Sequence, residues 1–360
     1  MIGTLIFNSI AVFFAWLESN GKCKHGLKFS LFTIFIFLAL RYDFGNDYMG
    51  YFEFFEDINS YKTLNLNLIT VKGIEFGWIY LNRFFGLFGE HGFFLMVAFL
   101  AGVTCYILYR FIKKYVPPKY YWFAIFMYVF DPYYMLVLSS AMRQQVAGII
   151  FLRATDFIVD NKPLKYIIAI IVASLFHSSA IILLILLVFC FINSPIKPKV
   201  SLITAFILFL LYVIPSSFFA PAEAVVIKYA HFYEGYLYEE KSLKLGLGWA
   251  LTLFIYGVIL FYIINDKSKL NNKLFYLGIS AMIFSSLGMV VPLASRYSFY
   301  FLALGLVVYP IVFIKIKNPI FRLCVISSII ILTVYSFFGF FNTPVWVEKF
   351  YNYKTIFSYL

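Results

Sequence analysis

Charge is scarce in this chain. Asp, Glu, Lys and Arg together make up 13% of its 360 residues, about half the ~25% of an ordinary globular domain. With 63% hydrophobic residues, the chain cannot be a disordered segment or a coiled coil, nor a pair of soluble domains, which could not hide so much apolar surface. Cysteine is nearly absent too. Cys23, Cys105, Cys190 and Cys324 form no CxxC pair and no Cys/His cluster at metal spacing, which excludes a disulfide framework and a zinc knuckle. They read as small buried hydrophobes. There is no GxxxxGK[ST] loop and no dinucleotide fingerprint, so nucleotide chemistry has no support. Residues 2–17 lack a basic leader, the first charge being Glu18, and are expected to remain as a first helix.

What the chain does have is aromatic and aliphatic runs, with 46 Phe, 29 Tyr and 5 Trp. Apolar stretches recur at 2–17, 30–40, 91–109, 120–138, 144–159, 166–176, 178–192, 200–214, 247–264, 274–291, 297–314 and 321–340. The pattern predicts an all-α, polytopic integral membrane protein of about twelve transmembrane helices, some short or broken, in a single transmembrane domain over 1–360. A thirteenth, weaker helix is expected on the surface at 75–87, and Asp131-Pro132 reads as a helix stop. The stretch 166–192 carries His177, Ser178 and Ser179 at its middle and lysines beyond both ends. Placing those lysines on one side makes the stretch a hairpin of two short helices. On that topology eighteen of the 29 basic residues, but only four of the 17 acidic ones, fall on the cytoplasmic side. The net charge of +12 is then mostly an orientation signal and not a nucleic-acid footprint. Two long loops, 41–74 and 215–246, lie outside and are rich in Tyr, Phe and carboxylates, and loops of such length tend to be functional.

Three arginines stand against the positive-inside bias at outer helix ends: Arg41, Arg143 and Arg296. A planar, permanently charged fork suits phosphate or pyrophosphate. The densest segment, RYDFGNDYMGYFEFFED at 41–57, mixes Asp43, Asp47, Glu53, Glu56 and Asp57 with Tyr42, Tyr48 and Tyr51 around a Gly45-Asn46-Asp47 turn. Carboxylates among aromatics suit a sugar, whose hydroxyls hydrogen-bond and whose apolar faces stack. His177 sits in the elbow of the proposed hairpin, and histidine is the commonest general base near neutral pH. Gln144 and Gln145 add amides beside Arg143. Glu75 reads either as a ligand or as the N-terminal cap of its own helix.

Four segments carry a family resemblance: RYDFGNDYMGYFEFF at 41–55, GIEFGWIYLNRFF at 73–85, AMRQQVAGIIFLRA at 141–154 and LFHSSAIILL at 175–184. A fifth, SRYSFYF at 295–301, holds Arg296 and Tyr297. In order and spacing they resemble the EpsG-like branch of Wzy-type polysaccharide polymerases. Residues 45–48 read GNDY where that family usually has GTDY. The resemblance implies an enzyme of the bacterial cytoplasmic membrane, working on its outer face. It would take a polyprenyl-pyrophosphate-linked oligosaccharide as both donor and acceptor and transfer the growing glycan to the non-reducing end of a new unit, with no cofactor and no metal. Membrane lipid surrounds such a protein, and a chain-length regulator and a flippase are its implied partners. Carried over residue by residue, the resemblance makes Arg41, Arg143 and Arg296 stabilisers of the pyrophosphate. It makes His177 or Asp47 the base, and Tyr48, Glu75, Gln144 and Tyr297 substrate contacts. A flippase would need cationic residues at mid-depth, where the apolar runs carry almost none and the ionisable residues crowd the outer end. A glycan ligase shares the chemistry and is separated from a polymerase by its acceptor.

Overall fold

The computed structural model describes residues 1–61, 73–214, 218, 221, 246–264, 266 and 268–359. The predicted loop at 215–246 therefore lies almost wholly outside the described residues, as does the end of the loop at 41–74. Each of the twelve apolar runs forms a helix. They are α1 (Ile2–Ser19), α2 (Gly26–Ala39), α5 (Gly92–Tyr115), α6 (Tyr121–Phe130), α7 (Met142–Val159), α8 (Pro163–Ser174), a 3₁₀ helix (Ser178–Cys190), α9 (Pro198–Val213), α10 (Leu247–Ile263), α11 (Lys269–Val290), α12 (Pro292–Lys315) and α13 (Pro319–Phe340). Among the described residues further helices lie between or after them, including α3 (Tyr48–Ser60), α4 (Phe76–Gly86) and α14 (Pro344–Phe350). The fold is all-α and membrane-like.

The count of about twelve membrane spans is not reached on length and composition. Among the described residues four helices pass: Ile2–Ser19, Gly89–Tyr115, Arg296–Lys315 and Pro319–Phe340. A fifth span forms if Pro118–Phe130 and Tyr133–Ser140, bent by 67°, cross together. Five further apolar helices are too short, at 10–17 residues, for a bilayer that asks ~20 of a perpendicular α-helix, and α7 and α11, of 18 and 22 residues, do not pass although they are longer. The bend falls at Asp131-Pro132. The proline has no N–H to give to the helix, and Asp131 Oδ1 accepts from the Tyr133 N–H at 3.1 Å to start the next turn.

The stretch 166–192 folds back on itself. Tyr166 Oη donates to the Leu183 carbonyl at 2.6 Å, whereas a straight α-helix would separate those residues by about 25 Å. The returning arm is a 3₁₀ helix of 13 residues, far longer than the usual three or four. Its burial has the matching period: Ala180, Leu183 and Leu186 are buried, every third residue, so one eclipsed face packs inward. At ~2.0 Å per residue the thirteen residues reach about 26 Å, nearly the depth of a bilayer core.

Two compact units share the chain. The first comprises Met1–Phe157, Lys162–Leu187 and Thr333–Leu360. In it α1 packs on α2 and α6, α2 on α5, and α3 on α4. Tyr48, Phe52 and Phe55, one face of α3, meet Phe93, which lies 5.1–5.7 Å away between ring centres. Edge-to-face pairs of this kind add ~0.5–1.5 kcal/mol each beyond area burial, and they hold the helical part of the 41–61 segment against α5. The C-terminal segment returns to the same place. Arg41–Tyr42 pair antiparallel with Lys354–Thr355, and Tyr353 stacks on Phe37 at 4.5 Å. The second unit comprises Ile158–Asn161 and Val188–Leu332. There α11 packs along α12 and also meets α9. In this unit the buried Lys273 ammonium donates to the Ile158, Phe189 and Cys190 carbonyls at 2.9–3.1 Å and to Asn161.

Helix α4, expected on the surface, has two unlike faces. Trp78, Ile79, Asn82 and Phe85 are buried, while Phe76, Tyr80 and Phe84, spaced by four, are half exposed or more. An apolar exposed stripe at helical spacing is what a helix lying against lipid presents.

Candidate functional site

The site assembles where three unrelated stretches of the first unit meet. α4 starts at Glu75, α7 starts beside Arg143, and the elbow between α8 and the 3₁₀ helix carries His177 and Ser178. Glycine makes the first contact possible. The Gly77 N–H donates to the Leu175 carbonyl at 2.8 Å, and a Cβ on Gly77 would lie 2.6 Å from that oxygen. Gly77→Ala is therefore expected to push α4 off the elbow and to lower thermal stability by about 1–3 kcal/mol, the usual cost of overpacking. Gly50→Ala, with open space at its Cβ, is the comparison in the same melting experiment.

Glu75 is the hub. Its Oε2 accepts from Arg143 Nη1 at 2.7 Å, and its Oε1 accepts from the Ser178 N–H at 2.9 Å. His177 Nδ1 stands 3.4 Å from the same Oε1, within electrostatic reach but off the line of a hydrogen bond. The cap reading of Glu75 is corrected in one respect. Its carboxylate makes no cap bond to its own helix and instead takes an orphan donor of the 3₁₀ helix, where negative charge is favoured. Burial works against the charge on Glu75, but His177, the Ser178 N–H and Arg143 outweigh it and hold the carboxyl at about 2. Because this value lies below the usual 4.5, the stability it brings is complete above about pH 4.5 and is lost as the pH falls through about 2. The difference in melting temperature between the wild type and Glu75→Gln is thus expected to shrink as the pH falls below 4.5.

Tyr51 completes this group. Its phenol hydrogen-bonds Arg143; burial raises its pKa, and the Arg143 charge opposes that rise. Its ring packs 5.1 Å from Trp78. The Asp47 charge is felt at Tyr51, one helical turn on, and Asp47 itself is exposed. The Asp47 N–H donates to Ser140 Oγ at 3.1 Å. Gly45 passes the same serine with φ +125° and no room for a Cβ, which would meet Ser140 Oγ at 2.8 Å.

Arg41 lies deeper, 3% exposed. Its Nη2 donates to the Ser139 carbonyl at 2.8 Å, two residues before Ala141-Met142-Arg143 begin. Its Nε and Nη1 are buried without a partner among the described residues. Burial pulls its pKa below the ordinary guanidinium value, and the Tyr48, Tyr353 and Tyr128 rings oppose that. Tyr48 faces it at 5.9 Å and donates to the Arg41 carbonyl at 2.9 Å. Gln144 is buried beside Arg143, and Gln145 donates to Thr104 Oγ1 at 3.3 Å.

Glu75, Arg143 and His177 thus share one cluster, and Arg41 and Tyr48 form a second group tied to the Ser139-Ser140 turn that precedes Arg143. Arg296 and Tyr297 lie in α12, in the second unit. Sequence reasoning passed over Ser139, Ser140 and Ser178 as ligands and Tyr51 as the partner of Arg143. Tyr51 had a signal, since it lies three residues from Tyr48 and one turn from Asp47. The serines had none, because they act through a backbone carbonyl, a hydroxyl and a backbone N–H respectively.

The EpsG family model matches residues 27–355, nearly the whole chain. The chain belongs to the EpsG family, whose members are Wzy-type polymerases of polysaccharide biosynthesis. Among curated proteins and among solved structures nothing matches it.

Proposed function

We propose that this protein polymerises oligosaccharide repeat units carried on polyprenyl pyrophosphate, at the outer face of the bacterial cytoplasmic membrane. The observation that carries the reading is the Glu75–Arg143–His177 cluster, adjoining the chain turn on which the Arg41 guanidinium rests with two of its three nitrogens unpartnered among the described residues. Buried cations without a full set of acceptors are costly in themselves, and an anionic substrate group would supply what they lack.

The step is a glycosyl transfer. A hydroxyl at the non-reducing end of the incoming unit attacks the anomeric carbon of the growing glycan. The new C–O bond forms as the anomeric C–O bond to the pyrophosphate breaks. The electron pair leaves with the polyprenyl pyrophosphate, and the hydroxyl proton passes to the base. His177 is the base in this reading. With Nδ1 turned toward Glu75 as the protonated nitrogen, Nε2 is left to accept. That nitrogen is buried without a partner among the described residues. Glu75 sets the tautomer and steadies the imidazolium. Arg143 and Arg41 act where charge develops on the leaving group, which is how preorganised donors accelerate such steps. Arg296 joins them in this proposal, with Tyr48, Gln144 and Tyr297 touching sugar. Asp47, exposed and close to Tyr51, is the competing base. The leaving group departs as a stable anion, so the reading invokes no metal or cofactor.

The shorter helices complete a topology of about twelve spans with both ends of the chain outside. A reporter active only outside is expected to work when fused after Asp57 and to be silent after Lys114 and after Lys197. Activity at Lys197 would make the 166–192 stretch cross the membrane instead of turning back. Deleting the gene is expected to leave single repeat units on the lipid carrier, outside. Units trapped inside would indicate a flippase, and long unattached chains a ligase. A chain-length regulator and the flippase that supplies the units are the partners this role requires.

A further inference from the structure

We propose that the first unit carries a second anion site, at the end of α5 and α7 remote from Glu75, and that it seats the headgroup of an anionic phospholipid. Arg153 follows Arg143 by ten residues along α7, so the two ends are about 15 Å apart. At the remote end a cleft of about 260 Å³ opens between α5 and α7. Ile107, Arg110, Phe111 and Lys114 line it from α5, at the i, i+3, i+4, i+7 spacing of one helix face. Leu152, Arg153 and Asp156 line it from α7, and Tyr109 and Lys113 of α5 complete the lining.

Its charge is one-sided, four cations against one carboxylate. Asp156 is already engaged by Lys114 at 2.8 Å, by Arg153 and by the Tyr115 hydroxyl. Lys113 is already paired with Glu18 at 2.9 Å. Arg110 is exposed, faces the Tyr106 ring at 6.0 Å and has no acid partner among the described residues. A phosphate group fits such a lining by charge and by hydrogen bonding.

The source of the phosphate follows from the layering. α5 and α7 both run toward this end, so Ile107 lies one turn deeper than Arg110 and two turns deeper than Lys114, and Leu152 lies one turn deeper than Asp156. The cleft is therefore apolar at its deep end, where Ile107 and Leu152 lie with Arg153 beside them, and mainly cationic toward the aqueous side, where Arg110 and Lys114 flank Phe111. A phosphodiester with an acyl chain uses both, and inorganic phosphate uses only the cationic side. Basic pockets at the ends of membrane helices take lipid headgroups in this manner. On the proposed topology the cleft faces the inner leaflet, but the lipid site stands whether or not the polymerase reading does.

The test uses the full chain purified in detergent and native mass spectrometry of retained lipid. Phosphatidylglycerol is expected to be retained over phosphatidylcholine. Arg110→Gln should weaken retention about 5-fold, and Arg110→Gln with Lys114→Gln about 30-fold, taking about 1 kcal/mol per cation. Lys119→Gln, which removes a cation at the same end but outside the cleft, should change nothing. Equal retention of the two lipids, or an equal loss in Lys119→Gln, would overturn the proposal in favour of diffuse attraction. Inorganic phosphate displacing the lipid completely would overturn it in favour of a free-anion site. If the double variant melts early without lipid, the Arg110→Gln variant, which breaks no ion pair with an acid, decides the matter alone.

Discussion

Replacing His177 with alanine is expected to lower the rate of polymer formation by about 10²–10⁴-fold, the weight of a positioned proton acceptor. The lipid-linked substrate should bind the variant nearly as well as the wild type, because the lost nitrogen acts in the transition state and not in holding the carrier. Folding should survive, since neither ring nitrogen of His177 makes a well-aligned hydrogen bond whose loss would orphan a partner. Asp47→Asn is the paired measurement. It keeps the Asp47 N–H to Ser140 and removes only the carboxylate charge. Full polymer from His177→Ala with none from Asp47→Asn would move the base to Asp47. Full polymer from both would leave the arginines and positioning to account for the rate.

Arg143→Lys is expected to cost about 10²–10³ in turnover, the usual effect of losing one preorganised donor at a developing charge. The charge is kept, so a role as a plain cation predicts almost no loss. The geometry predicts otherwise. Arg143 reaches Glu75 with Nη1 at 2.7 Å while also hydrogen-bonding the Tyr51 phenol. One planar fork can bridge a carboxylate and a phenol and still present N–H groups to a substrate. A lysine ammonium is a single point on a flexible stem and cannot occupy both positions. The pair is part-exposed, with side-chain exposures of 28% and 12%, so its loss should lower the melting temperature modestly. A monodisperse, folded Arg143→Lys protein without activity is the result expected. Full activity would reduce Arg143 to a structural partner of Glu75.

How far the molecule could be read in advance depended on the range of the interaction. The twelve helical runs were legible because an apolar stretch in lipid has to satisfy its own backbone hydrogen bonds. The break at Asp131-Pro132 and the turn at His177 were legible for the same local reason, a missing donor or a polar interruption. The number of true spans was not, because hydropathy alone does not distinguish a short 3₁₀ arm such as Ser178–Cys190 from a crossing α-helix. Helix α2 began earlier than expected, at Gly26, whose Cβ would lie 2.1 Å from the Phe14 carbonyl. That is a packing fact about α1, not a periodicity. In the site, Glu75, Arg143 and His177 stood out by residue type and were expected to serve one substrate, but the direct contacts of Glu75 with Arg143 and Ser178 were not legible. Glu75 lies 68 residues from Arg143 and 103 from Ser178, and the close approach of Gly77 to Leu175 sets α4 against the Ser178 elbow. The pairing of Arg41–Tyr42 with Lys354–Thr355 likewise joins the two ends of the chain through two residues apiece, too few to leave a strand pattern.

The central claim is that this protein joins repeat units and does not merely carry them. It is tested most directly by reconstituting the purified chain in liposomes with a single polyprenyl-pyrophosphate-linked repeat unit and no other protein, then resolving the glycans by length. The account predicts a ladder that grows one repeat at a time, with one polyprenyl pyrophosphate released per linkage, and no ladder from Arg143→Lys or His177→Ala. Single units that stay single in the presence of folded wild-type protein, or that cross the bilayer without being joined, would contradict it.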